Sequence, residues 1–279
     1  MKTKYIISAL LAAGLVSVAH AQVSSAVPDL VLGLQTAGGS TDYEADLGSM
    51  ASYVGLSSPT TLNLSSLISA SDIEGIFGSG AFTGGTVTLG AAATIGVSAT
   101  TLNGVSETTK STWITQANGT VVAGPWAVGT SSTSVFKDAS TIGSNPRYQG
   151  IESVYNGLNA QPSLSTPNAA AVPSGGAAAW SSYVNSQAKN GFGAGFDAGT
   201  GLALTPGLFE VVDLFQYAVG STSTSGTYTG SLELGSDGSL FFTNFDPIAV
   251  PEPSTYAAIL GAASLAVVMI RRRKQQILA

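Results

Sequence analysis

A mainly β fold, sandwich-like and with a few short helices, is predicted for this chain of 279 residues, together with one transmembrane helix at the C-terminal end of the precursor. Three observations predict it. Apolar and polar residues alternate with a period of two through much of the middle of the chain. Turn signals built from Gly and Asn separate those stretches. Only 9% of the residues are charged, against roughly 25% in an ordinary soluble domain; Gly, Ser, Thr and Ala fill the difference.

The N-terminus reads MKTKYIISALLAAGLVSVAHAQ. Lys2 and Lys4 form a basic start, Tyr5 to Ala19 is an apolar run, and Ala19-His20-Ala21 supplies the small-x-small pattern that a signal peptidase cuts. Residues 1–21 are therefore expected to be a signal peptide, cleaved between Ala21 and Gln22. The only histidine, His20, lies in the part to be removed, and there is no cysteine. An exported chain of this kind has no His/Cys zinc site, no cysteine nucleophile and no Ser-His-Asp triad.

The secreted body is expected to run from residue 22 to 249. "LSSLISASDIEGIFG" reads as one or two short helices broken around Gly75 and Gly78. "TVTLGAAATIGVSATTL" (Thr86 to Leu102) reads as adjoining strands, rich in β-branched residues and punctuated by glycine. "STWIT" and "GTVVAGPWAV" are expected to pair as a hairpin turning at Asn118-Gly119. "YQGIESVYNGLN" reads as a short turn of helix and "GGAAAWSSYVNSQAKNG" as a longer helix ending at Gly191. Three prolines mark 159–176 as a flexible connection. Tyr228 to Phe245 is the clearest hairpin: Tyr228, Leu232 and Leu234 alternate with Thr229, Ser231 and Glu233, and "GSDG" turns the chain.

Removing both ends leaves Lys110, Lys137, Arg147 and Lys189 against sixteen acids, a net charge near −12. Such a surface repels nucleic acid and anionic lipid, so neither is an expected partner.

Four groups are candidates for chemistry. Asp42, Glu44 and Asp46 fall on one face of a strand and could supply oxygens to calcium, the one cofactor considered; a solvated edge strand is the alternative. "GSDGS" (Gly235 to Ser239) superficially matches the start of a calcium loop, but a hairpin turn explains it better. Glu210 and Asp213 could be a glycosidase pair if both flanked one cleft. Trp113, Trp126 and Trp180 could form a sugar-stacking platform if exposed, with core packing the default. The glycines of "GFGAGFDAGTG" (Gly191 to Gly201) read as a flexible loop.

The C-terminal segment 250–279 differs from all of this. Val250-Pro251-Glu252-Pro253 is held extended by its prolines. Ser254 to Ile270 is uncharged and apolar for 17 residues, roughly 25 Å as a helix and near the lower limit for a bilayer. Arg271, Arg272, Arg273 and Lys274 then form a basic stop that stays cytoplasmic.

These three ordered parts resemble the PEP-CTERM sorting signal of Gram-negative bacteria. The resemblance implies that Pro251, Glu252 and Pro253 are recognised by exosortase, a membrane-embedded enzyme. It also implies an inner-membrane precursor whose mature form reaches the envelope or an extracellular matrix, often alongside exopolysaccharide. The body resembles uncharacterised secreted proteins of that kind over Asp29 to Leu34, Asp42 to Gly48 and Tyr228 to Phe242. Glu44 and Ala45 depart from that outline, which is more apolar there. The expected function is thus non-enzymatic, structural or polysaccharide-associated; the alternatives are a carbohydrate-binding module or a carboxylate-based polysaccharide hydrolase.

Overall fold

The computed structural model describes residues 22–57, 60–96, 98–117, 146–187, 202, 204, 209–217 and 227–244. The chain divides into two compact units, Met1–Asn244 and Phe245–Ala279; the second lies outside the described residues, as do residues 1–21.

In the first unit β1 (Asp29–Thr36) and β2 (Thr41–Ser49) pair antiparallel. A 3-10 turn at Met50–Ser52 follows, then the short β3 (Thr61–Asn63), a second 3-10 turn at Ser65–Leu67 and helix α1 (Ala70–Phe77). Ser69 caps α1, its hydroxyl accepting from the Asp72 N–H, and Gly78 ends the helix as its sequence position predicts. β4 (Val87–Thr94) comes next, then a separate hairpin of β5 (Thr100–Leu102) and β6 (Val105–Glu107), then β7 (Thr112–Ala117). That hairpin turns on Asn103 and Gly104, both at positive φ, as a two-residue turn matched to strand twist requires. Helix α2 (Pro146–Ala160), strand β8 (Ala169–Pro173), helix α3 (Trp180–Gln187) and strands β9 (Phe209–Tyr217), β10 (Thr227–Gly235) and β11 (Leu240–Thr243) complete the described unit.

The fold is mainly β with few helices. Among the described residues, all strands but β5 and β6 form one antiparallel sheet of nine in the order β3-β11-β10-β9-β7-β4-β1-β2-β8, where a sandwich-like arrangement would have two stacked sheets. The sheet wraps one core instead. Six interstrand steps separate β11 from β2, roughly 29 Å at about 4.8 Å each. Yet Tyr53, just beyond β2, sets its ring edge-on to Phe242 of β11, with centroids 4.9 Å apart. A flat sheet could not make that contact. The opening between the rims is bridged by residues 64–73: Leu64 N–H donates to Leu240 O, and Ser69 N–H donates to the Tyr43 hydroxyl. Leu30, Leu32, Leu34, Leu89, Trp113, Val212, Leu232 and Phe242 fill the inner core. The outer face of β1, β4 and β8 carries a second core with α2 and α3, built on Val31, Ala92, Ile151, Tyr155 and Trp180.

Three sequence expectations change. Segment 159–176 contains β8, which pairs along β2 and buries Ala169, Ala170 and Val172; those small apolar residues supply the strand that the prolines conceal. α2 is 15 residues long, not a single turn, because Tyr148, Ile151, Val154, Tyr155 and Leu158 make a buried stripe at helical spacing. In β10 a register shift between Tyr228 and Gly230 puts an extra residue against β9. One inserted residue reverses the alternation. Tyr228 thus shares a face with Ser231, its hydroxyl 2.7 Å from Ser231 Oγ, rather than with Leu232 and Leu234. The expected return strand after Asn118-Gly119 lies outside the described residues; β7 itself pairs with β4 and β9.

Candidate functional site

The carboxylates of β2 are the most unusual chemistry in the described body. Alternation sends Tyr43, Ala45 and Leu47 into the inner core and Asp42, Glu44 and Asp46 to the other side. That other side is not solvent. β2 lies between β1 and β8, and Asp42, Glu44 and Asp46 are all buried, Glu44 completely. The solvated-edge alternative is therefore overturned by the strand's interior place in the sheet.

Each carboxylate has a local partner. The Trp180 N–H donates to Glu44 Oε1 at 2.7 Å, and the Ser181 N–H to Asp42 Oδ2 at 2.7 Å. These are the first two amides of α3, which have no acceptor inside the helix. Two strand carboxylates thus cap a helix distant in sequence and meet the positive end of its dipole. Asp46 turns to its own strand: its Oδ1 accepts from Gly48 N–H at 2.7 Å. Gly48, at φ 89°, lies in the irregular stretch where Asp29 pairs with Ser49 but Val31 pairs with Asp46.

Burial holds all three carboxyls above their ordinary range, Glu44 furthest; for Glu44 the Trp180 N–H offsets part of this and the nearby Asp42 adds to it. Asp29, close to Asp46, is pushed up to about 6, first by burial and then by Asp46. Among the described residues, Asp42 Oδ1 and Glu44 Oε2 meet no hydrogen-bond partner. Among the described residues no group of three or more His, Cys, Asp or Glu could hold a metal ion. The expected calcium ligands share a face but serve two separate tasks, Asp42 and Glu44 on α3 and Asp46 on the bulge.

The remaining candidates disperse. Val212 and Leu214 belong to the inner core, Phe215 and Tyr217 to the outer one, so Glu210 and Asp213 leave β9 on opposite faces and flank no common cleft. Asp213 accepts from Ser231 Oγ at 2.7 Å. "GSDGS" is the β10–β11 turn: Asp237 Oδ1 takes the Ser239 N–H and hydroxyl, and Gly238 sits at φ 80°. Trp113 and Trp180 are completely buried; Trp126 and residues 191–201 lie outside the described residues.

One feature had no sequence signal. Asn159 of α2 clasps the backbone of Val23, accepting its N–H and donating to its carbonyl, both at 3.0 Å. Ser25 adds a bond to Glu152 at 2.8 Å, and Tyr155 of α2 donates to the Asp29 carbonyl at 2.6 Å. These bonds fasten Val23 to Asp29, just after the expected cleavage position, to α2.

Residues 249–274 match the family model described as the PEP-CTERM protein-sorting motif. The chain carries an exosortase sorting signal. It is accordingly an exported protein with a C-terminal membrane-anchoring signal. The PEP-CTERM match takes in Pro251, Glu252 and Pro253, the apolar stretch 254–270 and the basic residues Arg271 to Lys274, all outside the described residues. No curated protein and no solved structure matches the chain.

Proposed function

We propose that the chain is a two-ended export precursor whose body has a structural or polysaccharide-associated role in the cell envelope or extracellular matrix. Signal peptidase removes residues 1–21, and the helix 254–270 with Arg271 to Lys274 holds the precursor in the inner membrane. Exosortase then acts at Pro251-Glu252-Pro253 and frees the body. The PEP-CTERM match over residues 249–274 is the observation that carries this reading. A non-catalytic body agrees with the split of Glu210 from Asp213 and with the use of Asp42 and Glu44 as helix caps. Its sparse charge and abundant Ser, Thr and Gly suit contact with neutral polysaccharide.

The test is replacement of Pro251, Glu252 and Pro253 by alanine in the full chain, expressed in a Gram-negative host with an exosortase. The variant is expected to stay in the inner membrane with Arg271 to Lys274 attached, while the unaltered chain appears in the matrix or medium without them. Normal release of the variant would overturn the reading.

A further inference from the structure

We propose that the exported body carries a pyroglutamyl N-terminus, formed from Gln22. This rests on the reading that signal peptidase cuts after Ala21. The structure supplies what sequence alone does not: how Val23 and Ser24 are held and that Gln22 is exposed. The Val23 side chain is 3% exposed in the outer core, and both of its backbone polar groups are held by Asn159 at 3.0 Å. The Ser24 N–H is bound to Asp29 Oδ2 at 2.9 Å. Gln22, one residue earlier, is exposed, and among the described residues no hydrogen bond of the fold engages its side chain. Once Ala21 is removed, the Gln22 α-amine lies beside its own carboxamide on an exposed residue.

The chemistry is an intramolecular acyl transfer. The α-amine attacks Cδ of the Gln22 side chain, a C–N bond forms to close a five-membered lactam, and the Cδ–Nε2 bond breaks. Ammonia leaves with the proton that the amine gives up, so neither oxidant nor cofactor is needed. The Gln22 carbonyl and the Val23 N–H are untouched, and the clasp on Asn159 survives. The product has lost a cationic ammonium and presents no free amine to an aminopeptidase.

The experiment starts from the full chain exported by a Gram-negative host. Free amines of the intact secreted protein are labelled by reductive dimethylation before digestion. A protease that cuts before aspartate then releases the peptide Gln22 to Pro28 for mass spectrometry. The expected peptide is unlabelled and one ammonia lighter than the free form, whereas a Gln22→Glu variant, whose carboxylate is a far poorer acyl donor, is labelled. A labelled Gln22 on a chain that begins there overturns this inference and leaves the cleavage reading standing. A chain that begins at another residue overturns both.

Discussion

Glu44 shows how much one residue's setting can decide. Its carboxyl is fully buried, with one oxygen on the Trp180 amide and the other meeting no partner among the described residues. Burial raises its proton affinity, and also that of Asp42, Asp46 and Asp29, the last to about 6. The folded state therefore keeps these protons to a higher pH than the unfolded chain does. Stability from such groups is complete below their unfolded pKa and is lost as pH rises through the folded one. The body should melt at a higher temperature near about pH 5 than near about pH 8. Calorimetry across that range checks it. Glu44→Gln retains an acceptor for the Trp180 N–H without a charge to bury, so the gap between the two melting temperatures should narrow. An unchanged gap would take Glu44 out of the account.

At the scale of elements, α3 is fixed by what lies beneath it as well as by its caps. Trp180 rests on Gly33 of β1, where an added Cβ would overlap the indole. Gly33→Ala should push α3 off the sheet and loosen both carboxylate caps, a loss of about 2–3 kcal/mol as overpacking goes, read as a lower urea midpoint at unchanged slope. The elements were unevenly legible. α1 and the β10–β11 hairpin follow from period and turn residues, because each rests on local chemistry. β8 did not, because its five residues sit among prolines and its order comes from pairing with a strand more than a hundred residues away. The burial of Glu44 was equally hidden: alternation places the side chain on a face, but only the long-range docking of α3 decides whether that face meets water. The Asn103-Gly104 turn obeys the same rule as Asn118-Gly119. The clasp of Asn159 on Val23 follows from no local rule.

The whole molecule depends on closure of the curled sheet. Tyr53 and Phe242 meet across the opening between its rims, and Phe242 also fills the space over Gly230 at the β10 bulge. Phe242→Ala should cost about 3–5 kcal/mol and lower the melting temperature by roughly 10 °C or more, at about 2–4 °C per kcal/mol for a body of this size. Circular dichroism through thermal unfolding would measure it. A loss no larger than that of an exposed-site control would mean that the rims hold together without this contact.

The last residue of the described body is Asn244, whose Oδ1 accepts the Thr60 N–H at 2.7 Å and whose Nδ2 donates to the Leu56 carbonyl at 3.3 Å. The matched signal starts at residue 249. Among the described residues, every strand of the sheet lies before the address begins. On the proposed export route the same described sheet can exist first in a tethered protein and then in a free one. Such a label can be spent in delivery while its cargo stays whole.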